Sequence, residues 1–217
     1  MDMSQDQTAA SAAYWAERWR GGRTSWDLGG PHPRLGELIH EASELDLLPA
    51  GSRVLEPGCG RAHGGAALAR RGYSVTAFDV VEEAIAEARK LYGDVPGLSF
   101  AVQDALTPVA AWRGQFRAVV DRAFLCALPK DKRRAYIDAC FAHLAPGGVF
   151  LSIPFTEVRR EPEAGPPFAL PMIELTSLMA PGFSLVRAEE RRVDGDGIIA
   201  RETLCIFRRR DRMLVES

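Results

Sequence analysis

The sequence predicts an α/β protein whose mostly parallel sheet is covered by helices on both faces, as a three-layer sandwich. Two observations carry this prediction. Short runs rich in Val, Leu and Phe alternate with helix-like segments through the middle of the chain, an order that favours parallel strands joined by right-handed crossovers. Two further strand-like runs lie close together near the end of the chain, and they predict an antiparallel C-terminal hairpin at the sheet edge.

The individual elements follow from local patterns. Ala and Leu recur at helical spacing in Ala62–Arg71, and Val81–Leu91 carries acids early and a basic pair late, which suits the helix dipole. Lys130–Leu144 is amphipathic and is followed by A-P-G-G, a strong helix breaker. Helices are also expected at Ala12–Arg20 and Arg34–Leu45, and strands at Arg53–Leu55, Ser74–Phe78, Leu98–Val102, Phe116–Val120, Val149–Ile153, Phe183–Glu189 and Thr203–Arg208, with a turn at Asp194–Gly197.

Composition limits the classes of function. A chain of 217 residues with 47% hydrophobic content is compatible with one domain and a substantial core. A net charge of -2 gives no electrostatic reason to expect a nucleic acid or a membrane surface as partner. The sequence has no long apolar run, no signal-peptide pattern and four scattered cysteines. We therefore expect a cytoplasmic protein without a bound metal, and a monomer rather than an obligate oligomer.

The stretch R-V-L-E-P-G-C-G, Arg53–Gly60, places two closely spaced glycines directly after the first strand. In an open parallel sheet, ligands bind beyond the carboxyl ends of the strands. Gly58 and Gly60 would let a ligand approach the backbone without a Cβ in the way. Asp79 closes the next strand about 20 residues later, where a carboxylate suits ribose hydroxyls. The sequence therefore predicts a nucleotide-like ligand at this edge.

Two nucleotide-like cofactors use such a turn. A dinucleotide requires G-x-G-x-x-G for its pyrophosphate, and the third glycine position here holds Ala or His. S-adenosylmethionine has no phosphate, and needs a tight turn, a ribose acid and an adenine pocket. Asp104 and the backbone of Ala105, in the Q-D-A that follows the third strand, would address the adenine edge. The pattern favours S-adenosylmethionine, with a plain turn glycine at Gly60 and a helix-capping role for Asp79 as the alternatives.

Four motifs make the chain resemble the thiopurine methyltransferase family, which includes plant thiol and halide methyltransferases. W-x3-W leads into G-R-T-S-W-D at Gly22–Asp27, and P-G-C-G follows the first strand. D-R-A-F-L-C-A-L spans Asp121–Leu128, and G-P-P-F spans Gly165–Phe168. The resemblance covers nearly the whole chain and implies a class I methyltransferase (Rossmann-like) fold with a seven-stranded sheet. It also implies S-adenosylmethionine as cofactor and S-adenosylhomocysteine as its product.

From this resemblance we expect a single methyltransferase domain over residues 1–217. Residues 1–46 would form an N-terminal helical lid over the cofactor, and residues 47–217 the Rossmann-like core. The aromatic faces of the lid suit a sulfonium through cation–π attraction, although Trp15 and Trp19, spaced four apart, would also suit core packing. By position, the resemblance implies cofactor contacts from Trp15, Trp19, Trp26, Gly58, Gly60, Asp79, Asp104, Ala105 and Arg122.

Arg122 bears most directly on the methyl acceptor. Thiopurine-type members carry D-R at this place, whereas the plant thiol and halide enzymes carry an aromatic residue. P-G-C-G and F-L-C-A-L are closer to the plant type, so the chain is a mosaic of the two. A positive charge beside a bound thiol lowers its pKa and favours the thiolate. We therefore interpret Arg122 as the catalytic residue, with an ion pair that fixes the loop as the alternative.

These patterns predict an enzyme that transfers a methyl group to a small-molecule thiol, either aromatic, heterocyclic or simple, including hydrosulfide. The alternatives are a methyltransferase of the same fold acting on halide or on an oxygen or nitrogen centre, and a non-catalytic S-adenosylmethionine-binding module. The loop Glu161–Phe168 is expected to form one wall of the acceptor site. Cys59 is interpreted as a packing residue rather than a nucleophile, and His63 as a surface histidine at a helix start.

Overall fold

The structure is a computed structural model, and it describes residues 11–159, 161, 165–194 and 197–213. Helices and strands alternate as the sequence predicts. The helices are α1 (Ala12–Arg20), α2 (Leu35–Glu44), α3 (His63–Ala69), α4 (Glu82–Tyr92), α5 (Lys130–His143) and α6 (Met172–Met179). The strands are β1 (Arg53–Pro57), β2 (Ser74–Asp79), β3 (Leu98–Val102), β4 (Phe116–Arg122), β5 (Leu144–Ile153), β6 (Phe155–Val158), β7 (Phe183–Arg192) and β8 (Ile199–Arg209).

All of these strands belong to one sheet, with the order β3-β2-β1-β4-β5-β8-β6 and with β7 paired to β8. Strands β1 to β5 pair in parallel, whereas β8 is antiparallel to β5, β6 and β7. Only Pro154 separates β5 from β6, and both pair with β8, so they form one interrupted strand. The predicted α/β class, seven-stranded sheet and antiparallel hairpin are confirmed, provided that β5 and β6 are counted together.

Helices cover both faces of the sheet because alternate strand residues point to opposite sides. Helices α5 and α6 pack on the face that carries Leu55, Val119 and Phe150. Helices α2 and α3 pack on the opposite face, with Val54 and Ala118, and α4 contacts β2 and β3. In the described part of the chain, no helix combines the length and apolar character that crossing a bilayer would require.

Two features differ from the expected boundaries. Helix α5 ends at His143, but strand pairing begins at once at Leu144, so A-P-G-G lies within β5 rather than before it. The register between β4 and β5 shifts between Phe116 and Ala118, which accommodates the extra residues.

Helix α6 and the short strand β6 were not predicted from the sequence. The predicted turn at Asp194–Gly197 includes residues 195 and 196, which lie outside the described part, as do residues 162–164 of the proline-rich loop and residues 1–10.

The N-terminal elements have different surroundings. Helix α1 lies beside α4, where Trp19 packs with Val81 and Ala84. Helix α2 buries Leu38 and Ile39 against the sheet face and so belongs to the helical layer. Residues 11–34, here called the covering segment, comprise α1 and the loop to α2, and several of their side chains lie next to the carboxyl ends of β1, β2 and β4.

Candidate active site

A cavity of about 490 Å³ lies where the covering segment meets the carboxyl ends of β1, β2 and β4. This is the edge at which open parallel sheets bind ligands, and the volume suits a small organic molecule. Predicted site residues reach it from both sides. The cavity is lined by Trp15, Trp19 and Trp26 from the covering segment and by Gly58, Gly60, Asp79 and Arg122 from the sheet edge.

The glycine turn after β1 adopts the left-handed backbone that favours glycine, with φ of 59° at Gly58 and 53° at Gly60. A Cβ added to Gly58 would lie 2.0 Å from Cδ2 of Phe124, whereas one added to Gly60 would meet only Cζ2 of Trp19, at 3.6 Å. The close neighbour of Gly58 is therefore an aromatic ring of the protein itself. Phe124 was not predicted as a site residue, although it lies within the motif Asp121–Leu128.

Asp79 lies on the cavity wall beside this turn. Its Oδ2 accepts a hydrogen bond of 3.0 Å from the Gly60 amide, and its Oδ1 accepts one of 3.0 Å from Val81. Loss of hydration raises the pKa of Asp79, and these main-chain donors partly offset that rise. Each carboxylate oxygen keeps a lone pair for a ligand hydroxyl. Asp79 thus shapes the turn and lines the cavity at once.

Asp104 and Ala105 do not line this cavity. Asp104 is exposed, and its Oδ1 accepts a hydrogen bond of 2.9 Å from the Leu106 amide, while Ala105 is buried in the core. The Gln103 amide donates to the carbonyl oxygen of Asp79 at 2.9 Å, which keeps the ends of β2 and β3 adjacent. The structure therefore brings together the glycine turn and Asp79, but leaves the two expected adenine contacts beside the cavity rather than on its wall.

The tryptophans of the covering segment pack edge to face. The ring centroids of Trp15 and Trp26 are 5.3 Å apart, and those of Trp19 and Trp26 are 6.3 Å apart. Trp19 is buried and also packs on α4, whereas Trp15 and Trp26 are half-buried. The three tryptophans therefore pack together and also line the cavity, so the two roles that the sequence left as alternatives are both present.

Charged groups hold the covering segment to the sheet edge. Asp27 is ion-paired with Arg61, and its Oδ1 lies 3.1 Å from Nε2 of His63. Burial opposes ionisation of Asp27, but hydrogen bonds from Arg61 and Gly29 and the charges of His63 and Arg61 leave its pKa below the ordinary value. The interpretation of His63 as a surface histidine is wrong, because it lines the cavity and also contacts the Tyr92 hydroxyl at 2.7 Å.

Arg122 makes the other main contact between the two sides. Its Nη1 donates a hydrogen bond of 2.9 Å to the carbonyl oxygen of Trp26, and its guanidinium carbon lies 5.7 Å from the ring centroid of Phe155. Its Nε is buried without a hydrogen-bond partner in the described part of the chain. Burial lowers the pKa of Arg122, although a guanidinium remains charged in proteins. No carboxylate among the described residues forms an ion pair with Arg122, so the loop-fixing contact is to a main-chain carbonyl instead.

Glu56 was not singled out by the sequence, although it is the acid of E-P-G-C-G. It is buried, lines the cavity, and accepts a hydrogen bond of 2.9 Å from the Gly65 amide. Burial raises the pKa of Glu56 to about 8, so the carboxyl is protonated at neutral pH and offers an O–H donor. Burial and the nearby Glu56 and Asp79 raise the pKa of Cys59 well above its usual range, which favours a thiol over a nucleophilic thiolate.

His32 also reaches the cavity from the covering segment. Its Nε2 lies 3.1 Å from Oε2 of Glu202, and its Nδ1 accepts a hydrogen bond of 3.3 Å from the Arg34 amide. Both ring nitrogens are thus engaged by the protein, which leaves none for a substrate proton. No local signal could have revealed this contact, because Glu202 lies 170 positions further along the chain.

One group of three carboxylates in the described residues could hold a cation, but it lies outside the cavity. Glu37, Glu41 and Glu189 bring oxygen atoms within 4.8 Å of one another. Their charges are already balanced by ion pairs with Arg34, Arg187 and Arg191.

The cavity residues fit S-adenosylmethionine. The open face of Gly60 admits a ligand close to the backbone, and Asp79 presents acceptor atoms for ribose hydroxyls. Aromatic rings suit the sulfonium, and the unpartnered Nε of Arg122 provides a donor that a ligand would satisfy. Trp15, Trp26, Asp79 and Gly60 would hold the cofactor in this arrangement.

Known proteins agree with this architecture. A thiopurine S-methyltransferase of Legionella pneumophila (strain Philadelphia 1) is 33% identical over 173 residues, 72% of this chain and 75% of that protein. A probable thiol methyltransferase of Arabidopsis thaliana is 29% identical over 180 residues, 81% of this chain and 76% of that protein. The N-methyltransferase NodS of Bradyrhizobium japonicum, solved with S-adenosylhomocysteine, superposes with a TM-score of 0.71 at 22% identity and covers 91% of this chain and 98% of that chain.

The expected class I fold and the expected cofactor are thereby confirmed, and the resemblance noted in the sequence is confirmed with them. The model of the thiopurine S-methyltransferase family matches residues 10–212. The chain therefore belongs to the thiopurine S-methyltransferase family and is an S-adenosylmethionine-dependent methyltransferase.

Proposed function

We propose that the protein transfers the methyl group of S-adenosylmethionine to the sulfur of a small organic thiol bound in this cavity. One observation carries the choice of acceptor: the guanidinium of Arg122, whose Nε is buried and unpartnered, lines the cavity together with the apolar residues Phe155, Pro166 and Pro167. An apolar wall beside a guanidinium that has no carboxylate partner suits an apolar anion such as a thiolate. The cofactor supplies a methyl group on a positively charged sulfonium, ready for in-line displacement.

Neither histidine that lines the cavity has a free ring nitrogen, because those of His63 contact Tyr92 and Asp27 and those of His32 are engaged as well, and this also favours sulfur over oxygen and nitrogen. Glu56 is protonated at neutral pH, Cys59 remains a thiol, and both ring nitrogens of His32 are engaged. A thiol is partly ionised near neutral pH and is a strong nucleophile without further activation. The charge of Arg122 would increase the ionised fraction by lowering the pKa of the bound thiol. A phenol or an amine would need more help than these residues offer.

The remaining residues have positioning roles in this proposal. Gly58 and Gly60 shape the turn that faces the cofactor, and Asp79 accepts from its ribose. Trp15, Trp19 and Trp26 cover it and exclude water, which strengthens electrostatic contacts inside the cavity. Asp104 and Ala105 would border the adenine ring at the neighbouring strand end.

The proposal extends to the organisation of the protein. Residues 1–217 would form one domain, with the N-terminal region 1–46 preceding a core over residues 47–217. The acceptor is a small molecule. We propose a monomeric, cytoplasmic enzyme that requires no nucleic acid and no membrane.

A panel of acceptors tests the reaction. Benzenethiol, a thiopurine, hydrosulfide, iodide, phenol and aniline would each be incubated with S-adenosylmethionine, and release of S-adenosylhomocysteine would be measured. Turnover confined to sulfur acceptors supports the proposal. Turnover on iodide or on phenol and aniline would instead support the halide or the oxygen and nitrogen alternatives.

Calorimetry with S-adenosylhomocysteine separates a failed acceptor from a failed cofactor site. Cofactor binding without turnover on any acceptor would support a non-catalytic binding module. The names of the relatives, which refer to thiopurine and thiol substrates, favour sulfur.

A further inference from the structure

Most charged side chains that line the cavity already have a partner within the protein. Asp27 is paired with Arg61 and His63, and His32 contacts Glu202. Asp79 accepts from two main-chain amides. Arg23, at the cavity rim, forms an ion pair of 2.8 Å with Glu17. The pairs of Asp27 and His32 hold the covering segment to the core, and Asp79 is assigned to the cofactor ribose, so none of these groups offers a free positive charge to an acceptor.

Arg18 is the exception on the covering segment. It lines the cavity, and among the described residues no carboxylate lies within ion-pair distance of its guanidinium. Its guanidinium carbon lies 3.6 Å from the centroid of the Tyr14 ring, one helical turn earlier in α1. Stacking of this kind holds a guanidinium flat against a ring and leaves its edge N–H groups directed outward. Arg18 is therefore a fixed cation with unused donors at the cavity.

The position of Tyr14 places this cation beside the proline-rich loop. A Cβ added to Gly165 would lie 3.5 Å from the Tyr14 hydroxyl oxygen. Pro166 and Pro167 follow directly and line the cavity. Arg18 therefore stands on the wall of the covering segment near the loop that forms the apolar side, whereas Arg122 stands on the sheet edge below.

Two exposed apolar side chains also line the cavity. Leu28 is 54% exposed and Ile198 is 42% exposed, and both line the cavity. Exposed apolar side chains at a cavity mouth mark a ligand-binding surface when polar groups flank them. An acceptor that satisfies every group here has an apolar body and, besides its thiol, a negative charge.

We infer that Arg18 selects acceptors that carry a carboxylate or another anionic group in addition to the thiol. This inference rests on the proposed thiol methylation and names the substrate class of the same site. The apolar body of the acceptor lies against Pro166, Pro167 and the rim residues. Its anionic group accepts hydrogen bonds from the edge of Arg18, and its thiol faces the sheet edge.

The test compares 4-mercaptobenzoate with its neutral methyl ester as acceptors for the wild type and for Arg18→Gln. The two compounds share the ring and the thiol but differ in charge. Their intrinsic difference in reactivity is the same for both proteins, so it cancels when the ratio of the two KM values is compared between the wild type and Arg18→Gln. We expect Arg18→Gln to raise KM for the carboxylate about tenfold, the size expected for a charge-assisted hydrogen bond, with KM for the ester unchanged. The wild-type KM for the carboxylate should also rise with ionic strength, because Arg18 is only half-buried.

Arg20→Gln is the matched control, since Arg20 lies on the same helix α1, forms an ion pair with Glu83 and is not among the residues that line the cavity. It should leave both KM values unchanged. An equal rise in KM for both acceptors in Arg18→Gln, together with a raised KM for S-adenosylmethionine, would overturn the inference and assign Arg18 to the cofactor carboxylate. No change for either acceptor would also overturn it.

Failure of the proposed reaction would be recognised separately. If neither compound is methylated, calorimetric binding of both compounds to the S-adenosylhomocysteine complex still tests Arg18. Tighter binding of the carboxylate that is lost in Arg18→Gln supports the inference even then, and equal binding of both compounds contradicts it.

Discussion

Nη1 of Arg122 donates a hydrogen bond of 2.9 Å to the carbonyl oxygen of Trp26. This contact joins the end of β4 to the covering segment, so the residue assigned to the acceptor also holds the roof of the cavity. Opening of the covering segment would withdraw the carbonyl and free the guanidinium. In the proposed reaction, this side chain would link acceptor recognition to closure over the cofactor.

Two substitutions of Arg122 distinguish the effect of its charge from the effect of its hydrogen bond. We expect Arg122→Gln to raise the KM of a thiol acceptor about tenfold and to move the rise of kcat with pH upward by about one pH unit, because the bound thiol loses the cation that lowers its pKa. Arg122→Lys should keep much of the pH profile. Rates measured between pH 6 and 9 check this, and an unshifted profile in Arg122→Gln would remove Arg122 from the chemistry.

The contact between Gly58 and Phe124 predicts a large steric effect. Gly58→Ala should lower the free energy of unfolding by about 3 kcal/mol, since it combines an unfavourable φ with overlap against the ring. Gly72→Ala is the matched control, with φ of 89° and no atom within 4 Å of an added Cβ, and should cost only about 1 kcal/mol. Denaturant unfolding measures both values. Equal losses at the two glycines would show that the Phe124 ring moves away freely.

Asp27 should control how firmly the covering segment closes. Asp27→Asn removes the ion pair with Arg61 and weakens the contact with His63, so we expect the Kd for S-adenosylhomocysteine to rise about tenfold. Glu17→Gln breaks the ion pair with Arg23 on the exposed side of the same segment and should leave the Kd unchanged. Calorimetry at pH 7 compares the two variants. A normal Kd in Asp27→Asn would mean that the tryptophan packing alone closes the site.

Glu56 predicts a specific dependence of stability on pH. Burial raises the pKa of Glu56 from its ordinary value of 4.5 to about 8 in the folded protein, so the folded state retains a proton that the unfolded state releases. The contribution of Glu56 to stability is therefore largest below about pH 4.5 and falls as the pH rises towards 8, at roughly 1.4 kcal/mol per pH unit between these values.

Glu56→Gln keeps the shape of the protonated side chain and should abolish this part of the slope. The other carboxyls whose pKa burial raises, Asp121 (to about 6) and Asp79, are present in both proteins. The difference between wild type and Glu56→Gln above pH 6 is therefore due to Glu56. Unfolding free energies at pH 6.5 and 7.5 give this difference. An equal fall in unfolding free energy in both proteins would show that Glu56 is not protonated in the folded state.

The sequence predicted elements best where the signal is local. Helix α1 and strand β3 begin and end where their patterns predict, because their caps and apolar runs are short-range features. The A-P-G-G breaker was misread, since a register shift between β4 and β5 absorbs it inside the strand. Helix α6 was missed because it begins after a proline-rich stretch, and its charged and polar residues give little contrast between faces.

The same division holds for the site. Gly58, Gly60 and Asp79 follow strands directly, so a motif was enough to place them at the cavity edge. The pairing of His32 with Glu202 depends on the packing of the covering segment against β8, and no neighbouring residue announces it. The side-chain contact between Phe124 and Gly58 likewise appears only when the loop after β4 folds back over the turn.

Methylation of 4-mercaptophenol shows directly whether the methyl group is transferred to sulfur or to oxygen, because this acceptor offers both atoms on one ring. The protein would be incubated with S-adenosylmethionine that carries a trideuterated methyl group, and the product identified by mass spectrometry against authentic standards. We expect the labelled thioether, 4-(methylthio)phenol, as the product. The labelled ether, 4-methoxybenzenethiol, or no product while S-adenosylhomocysteine still binds, would contradict methyl transfer to sulfur.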